Sequence, residues 1–162
     1  MSKENLLKWH VAGLQAYKSA VEQSLTGAQK AENGFADAAL EQVASNVVSM
    51  MQQHKDQLIT FLEDAGAEID AAHDEIADGI NRGSELSEKA AGDAHTLDVA
   101  LLFRSIVSMN YFVTAFSNHA ISAKTLGQED QSAAFEHMAA EQQQYIDQYV
   151  SLSKSSVFPK FV

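Results

Sequence analysis

Two residues with metal-binding side chains interrupt apolar stripes of predicted helices. His54 follows Val43, Val47 and Met50 at helical spacing, and Glu141 lies in a stripe of the last helix. A third donor, His10, lies on the stripe of the first helix. Measured from the turn near residue 30, His10 and His54 lie at similar heights and could face each other. Because carboxylate and imidazole ligands suit iron or manganese, His54, Glu141 and His10 are the candidate metal ligands.

Each candidate also has a purely structural interpretation. His54 would be a core histidine hydrogen-bonded to a tyrosine or a carboxylate, and His10 would pack near one end of the fold. Glu141 would lie on the flank of its helix, in water. A buried carboxylate otherwise requires a cation, a metal or a proton as partner. Both interpretations stay open for all three residues.

Several other polar residues have weaker claims to a site. Arg104 also interrupts a stripe, but it lies about nine residues, or roughly 13 Å of helical rise, from the height of Glu141, so a direct pair is not expected. His119 and His137 could approach each other across the turn at Gly127, or be exposed. His73 and His95 are read as solvated. Four tyrosines either line a small pocket or belong to an aromatic core, namely Tyr17, Tyr111, Tyr145 and Tyr149.

The chain contains no cysteine, which excludes disulfides, thiolate-bound metals and thiol nucleophiles. The sequence has no glycine-rich phosphate loop between a strand and a helix, and no nucleophile elbow. Any metal site would therefore depend on carboxylate and imidazole groups.

Four long helices would position these residues. The apolar periodicity predicts helices over about 3–25, 35–65, 93–126 and 128–153, with Gly27, Gly66 and Gly127 as the interruptions. The one proline, Pro159, lies after the last of them. We therefore predict a single all-α domain over residues 1–162, a four-helix bundle of two antiparallel hairpins.

A long connection joins the two hairpins. Residues 66–92 are rich in glycine and acidic side chains, with a short helix predicted within 70–82. A connection of this length fits a crossover that returns the chain along the bundle. The third long helix is apolar on two sides, and the tail SSVFPKFV is apolar as well. We expect these two segments to form a homodimer interface, although the tail could also dock on its own chain.

The layout of hairpin, crossover and hairpin resembles the ferritin-like superfamily, especially its small rubrerythrin-like members. The opening residues Asn5-Leu6-Leu7-Lys8 and Ala12-Gly13 are similar in texture to the first helix of that family. The resemblance implies two metals held by a glutamate from each of two helices and a Glu-x-x-His pair from each of the other two. Here His54 and Glu141 match that pattern. The other expected ligand positions carry Leu14, Met51, Asn110 or Tyr111, and Gln144.

Charge and composition exclude several classes of partner. The net charge of −11 opposes binding to nucleic acid and to anionic membrane surfaces. No stretch approaches the roughly 20 apolar residues of a membrane span. The N-terminus MSKENLLKWH does not have the pattern of a signal peptide, so a cytoplasmic location is expected.

Three functions compete on this sequence. The first is a ferritin-like bundle whose di-metal site is degenerate or remodelled, with a structural or stress-related role. It either binds no metal or keeps one residual metal or small-ligand pocket, and we expect it not to be an enzyme. The second is a helical interaction or surface-coating protein of the phasin type. The third is an iron or manganese enzyme with the non-standard ligands His10, His54, Glu22 and Glu141.

Overall fold

The computed structural model describes residues 2–161, which form helices and the turns between them. Five α-helices follow one another: α1 (Lys3–Gly34), α2 (Ala38–Asp64), α3 (Glu75–Ala90), α4 (Ala94–Leu126) and α5 (Glu129–Leu152). A π-helical turn, Ser153–Val157, and a short 3-10 helix, Phe158–Phe161, complete the chain. The fold class predicted from the sequence, all-α, is confirmed.

Local signals fix where the helices begin and end. Ser2, Asp37, Asp74 and Asp93 each cap a helix N-terminus by accepting a hydrogen bond from a backbone N–H of the first turn. α4 ends at Gly127, whose φ of 84° lies in the left-handed region that favours glycine. The following helix, α5, begins two residues later, so α4 and α5 form a tight antiparallel pair.

The four long helices enclose one apolar core. α1 packs against α2 and α4, and α5 packs against α4 and α2, so α1 and α5 lie on one diagonal and α2 and α4 on the other. α3 lies outside this ring, against α1 and α4. The largest fully buried apolar side chains are Leu14, Leu40, Leu58, Leu62, Leu101, Phe112, Phe116, Phe135 and Tyr149.

α1 is longer than the sequence pattern predicted. The helix was expected to end near residue 25, with Gly27 as the interruption, but it continues to Gly34. Gly27 is buried within the helix, where the guanidinium of Arg104 crosses it. The glycine is therefore a place of close approach and not a helix end.

The crossover is also arranged differently from the expectation. A short helix was predicted within 70–82, whereas α3 begins at Glu75 and continues to Ala90. The segment before it is held to α1: the buried ammonium of Lys18 contacts Asp70, and the Ser19 hydroxyl accepts a hydrogen bond from the Asp74 backbone N–H at 3.1 Å. The Tyr111 hydroxyl donates to Asp74 at 2.6 Å. These polar contacts fix the connection against α1 and α4.

The tail docks on its own chain. Val157 is buried, and the Asp37 carboxylate at the α1–α2 turn accepts hydrogen bonds from the Ser156 hydroxyl and, at 2.8 Å, from Lys160. The same carboxylate caps α2 through its other oxygen. One acidic residue therefore fastens the end of the chain to the first hairpin.

α4 contradicts the prediction that no stretch of the chain is apolar enough to span a membrane. By length and composition it is able to cross a membrane, because one 18-residue stretch has a mean hydropathy of 1.5. In this fold 44% of that stretch is buried against other helices. A core helix of a helical bundle has the same properties, so the finding is weak evidence for a membrane span, and the absence of a membrane partner stays a prediction.

Candidate metal centre

His54 and Glu141 lie together between α2 and α5. The Nε2 atom of His54 is 2.9 Å from Oε2 of Glu141. His54 is fully enclosed, whereas the Glu141 side chain is 28% exposed and reaches the surface. Because a carboxylate oxygen can only accept a hydrogen bond, the imidazole carries its proton on Nε2 and donates a hydrogen bond from Nε2–H to Glu141. The structural interpretation of His54, a core histidine bonded to a carboxylate, therefore describes its geometry.

The other side of the His54 ring faces the core. Gln142, which has no exposed surface, places its amide Nε2 at 3.3 Å from Nδ1 of His54 and at 3.2 Å from Sδ of Met51. An amide nitrogen only donates, so Nδ1 and the sulfur both present lone pairs to it. Among residues 2–161, the Gln142 carbonyl oxygen is one of four buried side-chain atoms without a hydrogen-bond partner.

Burial determines the charge of this ring. Desolvation lowers the pKa of His54, and the hydrogen bond and negative charge of Glu141 oppose that effect only in part. The exposed His137, whose Nε2 is 3.5 Å from the same Glu141 oxygen, lowers the pKa further. His54 is therefore neutral at physiological pH, with a lone pair on Nδ1.

The remaining ligand positions of the ferritin-like pattern do not supply ligands. Leu14 and Met51 are buried in the core, while Asn110 and Gln144 are exposed. Tyr111 is turned toward α3, where it is bonded to Asp74. Burial raises the pKa of Tyr111, and the hydrogen bond and charge of Asp74 raise it further. The hydroxyl is therefore a neutral donor. At the height of His54 the interior is aromatic, with the ring centre of Phe116 at 5.7 Å.

His10 belongs to a different cluster. Its ring stacks on that of His119, with ring centres 4.7 Å apart. Nε2 of His10 donates to the Gln131 side-chain oxygen, and Nδ1 lies 3.0 Å from the Ser122 hydroxyl. His119 donates to the backbone oxygen of His10 at 3.1 Å and lies against Gly13. The structure thus brings His54 and Glu141 together and places His10 with His119.

The other predicted donors lie at the surface. Glu22 is exposed and pairs with Lys18 at 2.9 Å. His137 is exposed beside Glu141, whereas His119 is buried against His10. Within residues 2–161, one group of three His, Asp or Glu residues has converging donor atoms, all within 4.8 Å of one another: His73, Glu75 and Asp78 at the start of α3. His73 and Glu75 are exposed, so the group resembles an ordinary acidic surface.

Arg104 has a partner that the sequence did not indicate. Its guanidinium is buried and donates to Glu88 and to Asn81 of α3, both at 2.8 Å. Lys30 of α1 contacts the other oxygen of Glu88. Burial acts to raise the pKa of Glu88, but the two cations outweigh it and lower the pKa. As expected, Arg104 does not pair directly with Glu141.

A small cavity lies beside this region. It has a volume of about 20 Å³, enough for one water molecule. Its lining includes Arg104, Asn81, Ser24, Ser108 and Met51. Residues of α1, α2, α3 and α4 therefore border this cavity.

Met51 and Gln142 were not predicted as neighbours of His54. The sequence pattern led only to Met51 being treated as a lost glutamate. The spacing Met51-x-x-His54 was the available signal, because residues three apart share one helix face.

Comparison with known proteins gives a family and a fold. The model of the family described as a domain of unknown function (DUF892) matches residues 5–157. The stress protein YciF of E. coli has a similar structure, with a TM-score of 0.84 and 13% identity over 91% of this chain and 94% of that chain. YcfI of Rhodopseudomonas palustris, proposed to be a structural protein, gives a TM-score of 0.83 and 16% identity over 92% and 93% of the two chains. No curated protein matches the sequence.

Proposed function

Since the chain belongs to the DUF892 family of domains of unknown function, we propose that it is a ferritin-like four-helix bundle with a remodelled di-metal site. In this proposal it has a structural or stress-related role. The single observation that supports the proposal most strongly is that apolar residues stand where the metal ligands of a ferritin-like protein are expected. His54 and Glu141 are bonded to each other, while Leu14 and Met51 fill two of the positions where metal-binding glutamates are expected.

The contacts around His54 support this proposal over an intact di-iron enzyme. A di-iron centre of the ferritin-like type requires about six carboxylate and imidazole ligands on the inner faces of four helices. In this interior the side chains near His54 are a thioether, an amide and a phenyl ring. Two trivalent iron ions have too few anionic ligands there to offset the cost of burying their charge.

The two solved structures with the same fold favour a supporting role. YciF is described as a stress protein and YcfI is proposed to be a structural protein. A role of this kind requires a stable helical fold and accessible surfaces. We extend the stress-related or structural role to this protein on that basis.

Iron loading tests the proposal. The purified protein, freed of metal with a chelator, is incubated with Fe(II) in air, and iron per chain and the rate of iron oxidation are measured. We expect no di-iron stoichiometry, and an oxidation rate equal to that of buffer. Two iron ions per chain with accelerated oxidation, both lost in a folded His54→Ala variant, would overturn the proposal.

The non-standard metalloenzyme has less support. Of its four ligands, His54 and Glu141 are in contact, whereas His10 stacks on His119 and Glu22 is exposed beside Lys18. A mononuclear iron or manganese site would therefore have two donors from this set. The same iron measurement, repeated with Mn(II), tests this alternative.

A coat protein of the phasin type would leave a large apolar face uncovered. Here the apolar stripes of the four long helices are buried in their own core. Within the described residues 2–161, eight large apolar side chains are nevertheless exposed, on α1, α3, α4 and the tail: Leu7, Trp9, Ile76, Leu86, Phe103, Ile121, Phe158 and Phe161. This distribution favours an ordinary protein interface over a coat.

A homodimer through α4 and the tail is consistent with these exposed residues. Phe103 and Ile121 are exposed on α4, and Phe158 and Phe161 are exposed on the tail. We propose that they contribute to the dimer interface. Light scattering after size exclusion is expected to give twice the chain mass, and a Phe103→Glu, Phe158→Glu variant is expected to give the monomer mass. A native monomer would contradict this proposal.

A further inference from the structure

We propose that Met51, His54 and Gln142 form a binding site for one soft monovalent metal ion of the Cu(I) type, between α2 and α5. The inference rests on the proposed function, because it specifies what the remodelled centre binds. It differs from a di-iron centre in its donors, its ion and its stoichiometry.

The convergence of donors supports the site. Nδ1 of His54 and Sδ of Met51 are three residues apart on α2 and direct lone pairs at one point, which the Gln142 amide nitrogen occupies at 3.3 and 3.2 Å. Metal bonds to imidazole nitrogen and to sulfur are about 2.0 and 2.3 Å, roughly 1 Å shorter than these contacts. An ion that takes the place of the amide nitrogen, when the amide turns aside, therefore requires both donor atoms to move toward it by about 1 Å.

Gln142 provides a second, independent observation. The side chain is fully buried, yet its carbonyl oxygen has no hydrogen-bond partner among residues 2–161. A buried polar atom without a partner is costly and rare in native proteins. Rotation of the amide toward a bound ion would make this oxygen the third ligand and satisfy it.

Glu141 acts as a positioning residue. Its carboxylate accepts a hydrogen bond from the Nε2–H of His54. The proton of the neutral ring therefore stays on Nε2, and the lone pair stays on Nδ1, facing the core. Metal-binding histidines characteristically donate their second ring N–H to a carboxylate in this way, which fixes the ring and increases its basicity. The carboxylate also places a negative charge beside the site, which offsets the charge of a monovalent cation.

The donor set selects the ion. Thioether sulfur and neutral imidazole are soft to intermediate ligands that favour Cu(I), whereas iron(II) and manganese(II) prefer oxygen-rich sites. A single positive charge is also less costly to bury than two divalent ions. Binding leaves the oxidation state of the ion and the protonation of His54 unchanged, since Nδ1 already carries the lone pair.

The small cavity beneath α3 borders one residue of the proposed site. Met51 is among its lining residues, together with Ser24 and Ser108, whose hydroxyls lie 3.1 Å apart.

Competition with a chromogenic Cu(I) chelator tests the proposal. The full-length, metal-free protein is titrated anaerobically into the Cu(I)–bicinchoninate complex, and the loss of colour reports transfer. We expect one Cu(I) per chain, at least tenfold weaker binding in Met51→Leu, and unchanged binding in the matched core variant Met50→Leu. Glu141→Gln, at the rim, is expected to weaken binding about tenfold or more while leaving the stoichiometry unchanged.

Each result has a defined meaning. No transfer of Cu(I), or equal transfer by wild type and a folded Met51→Leu variant, would overturn the inference, and the latter would assign binding to surface histidines. The iron measurement is separate: protein that binds neither Cu(I) nor iron contradicts this inference and leaves the proposed function standing. Two iron ions per chain would overturn the proposed function itself.

Discussion

The imidazole of His119 covers Gly13, so closely that a Cβ atom on residue 13 would overlap its Cε1 and Nε2 atoms. The ring is held there by its hydrogen bond to the backbone of His10 and by contacts with Trp9 and Tyr17, whose ring centres lie 4.9 and 4.6 Å away. α1 and α4 therefore approach each other through a glycine on one helix and a histidine on the other.

Gly13→Ala is expected to lower the free energy of unfolding by about 1–3 kcal/mol, the usual cost of forcing an atom into a packed core. Urea unfolding measures the change. In a His119→Ala background the same substitution should be neutral or stabilising, because alanine favours the helix and the overlap is gone. Equal losses in both backgrounds would contradict this account of the contact.

Gly27→Ala is expected to destabilise the protein by about 1–3 kcal/mol, because the new methyl group displaces a buried charge from its partners. The added Cβ would lie 2.5 Å from the nearest guanidinium nitrogen of Arg104, which is bonded to Glu88 and Asn81. Gly79→Ala, on α3 with open space around it, is the matched control. It should raise stability by up to about 1 kcal/mol through helix propensity alone.

Acid is expected to weaken the fold through His119. Burial lowers its pKa from 6.5 to about 4; the hydrogen bond to the backbone oxygen of His10 opposes this effect, and the charge of the His10 ring adds to it. The unfolded chain binds this proton near pH 6.5 and the folded chain near pH 4, so the free energy of unfolding falls as pH decreases between those values. The loss from this residue is about 3 kcal/mol.

Urea unfolding at a series of pH values measures this dependence. His119→Phe, which retains an aromatic ring and removes the titration, should flatten the slope below pH 6.5. Burial also lowers the pKa values of His10 and His54. These two residues should therefore preserve part of the pH dependence of the unfolding free energy in that variant. An identical pH dependence in wild type and His119→Phe would show that His119 is not responsible.

The tail contact at Asp37 is expected to contribute about 1 kcal/mol, as a part-exposed ion pair with a supporting hydrogen bond. Bonds from Lys160 and Ser156 hold the pKa of Asp37 well below its usual range. This contribution is present above the ordinary aspartate pKa and is lost as pH falls through the lowered value. Asp37→Asn keeps the helix cap and removes the charge.

A double-mutant cycle of Asp37→Asn with Lys160→Ala isolates this pair. The coupling free energy should be about 1 kcal/mol, and limited proteolysis should release the tail faster in each single variant. Lys154→Ala, exposed and outside the contact, is the control. A coupling energy of zero would show that the Asp37–Lys160 pair does not help to hold the tail.

The long helices were predictable because their apolar periodicity is local information. The stripe from Leu40 to Phe61 places His54 in the core without knowledge of any neighbour. The partner of His54 was predictable only as a class, a tyrosine or a carboxylate. Its identity as Glu141 depends on the register of α5 against α2, which no local pattern contains.

The errors arise where long side chains and small residues meet across helices. Gly27 has the sequence signature of a helix end, and only the position of Arg104 shows why glycine is needed inside the helix. His10 and His54 were predicted to lie at similar heights above a turn near residue 30. Because α1 continues to Gly34, the turn lies later in the chain, and His10 lies beside Phe61 and Asp64 instead. The His10 ring contacts α4, where it stacks on His119 and lies within hydrogen-bond distance of the Ser122 hydroxyl.

α3 buries only Ala77 and Ser84 among its own residues and is held to the rest of the chain chiefly by polar contacts. Apolar burial resists local opening more strongly than hydrogen bonds that water can replace. The backbone amides of α3 therefore exchange with solvent at a lower free-energy cost than those of α2 or α5. Brief, reversible lifting of α3 would therefore uncover the faces of α1 and α4 that it covers, while the four long helices stay folded.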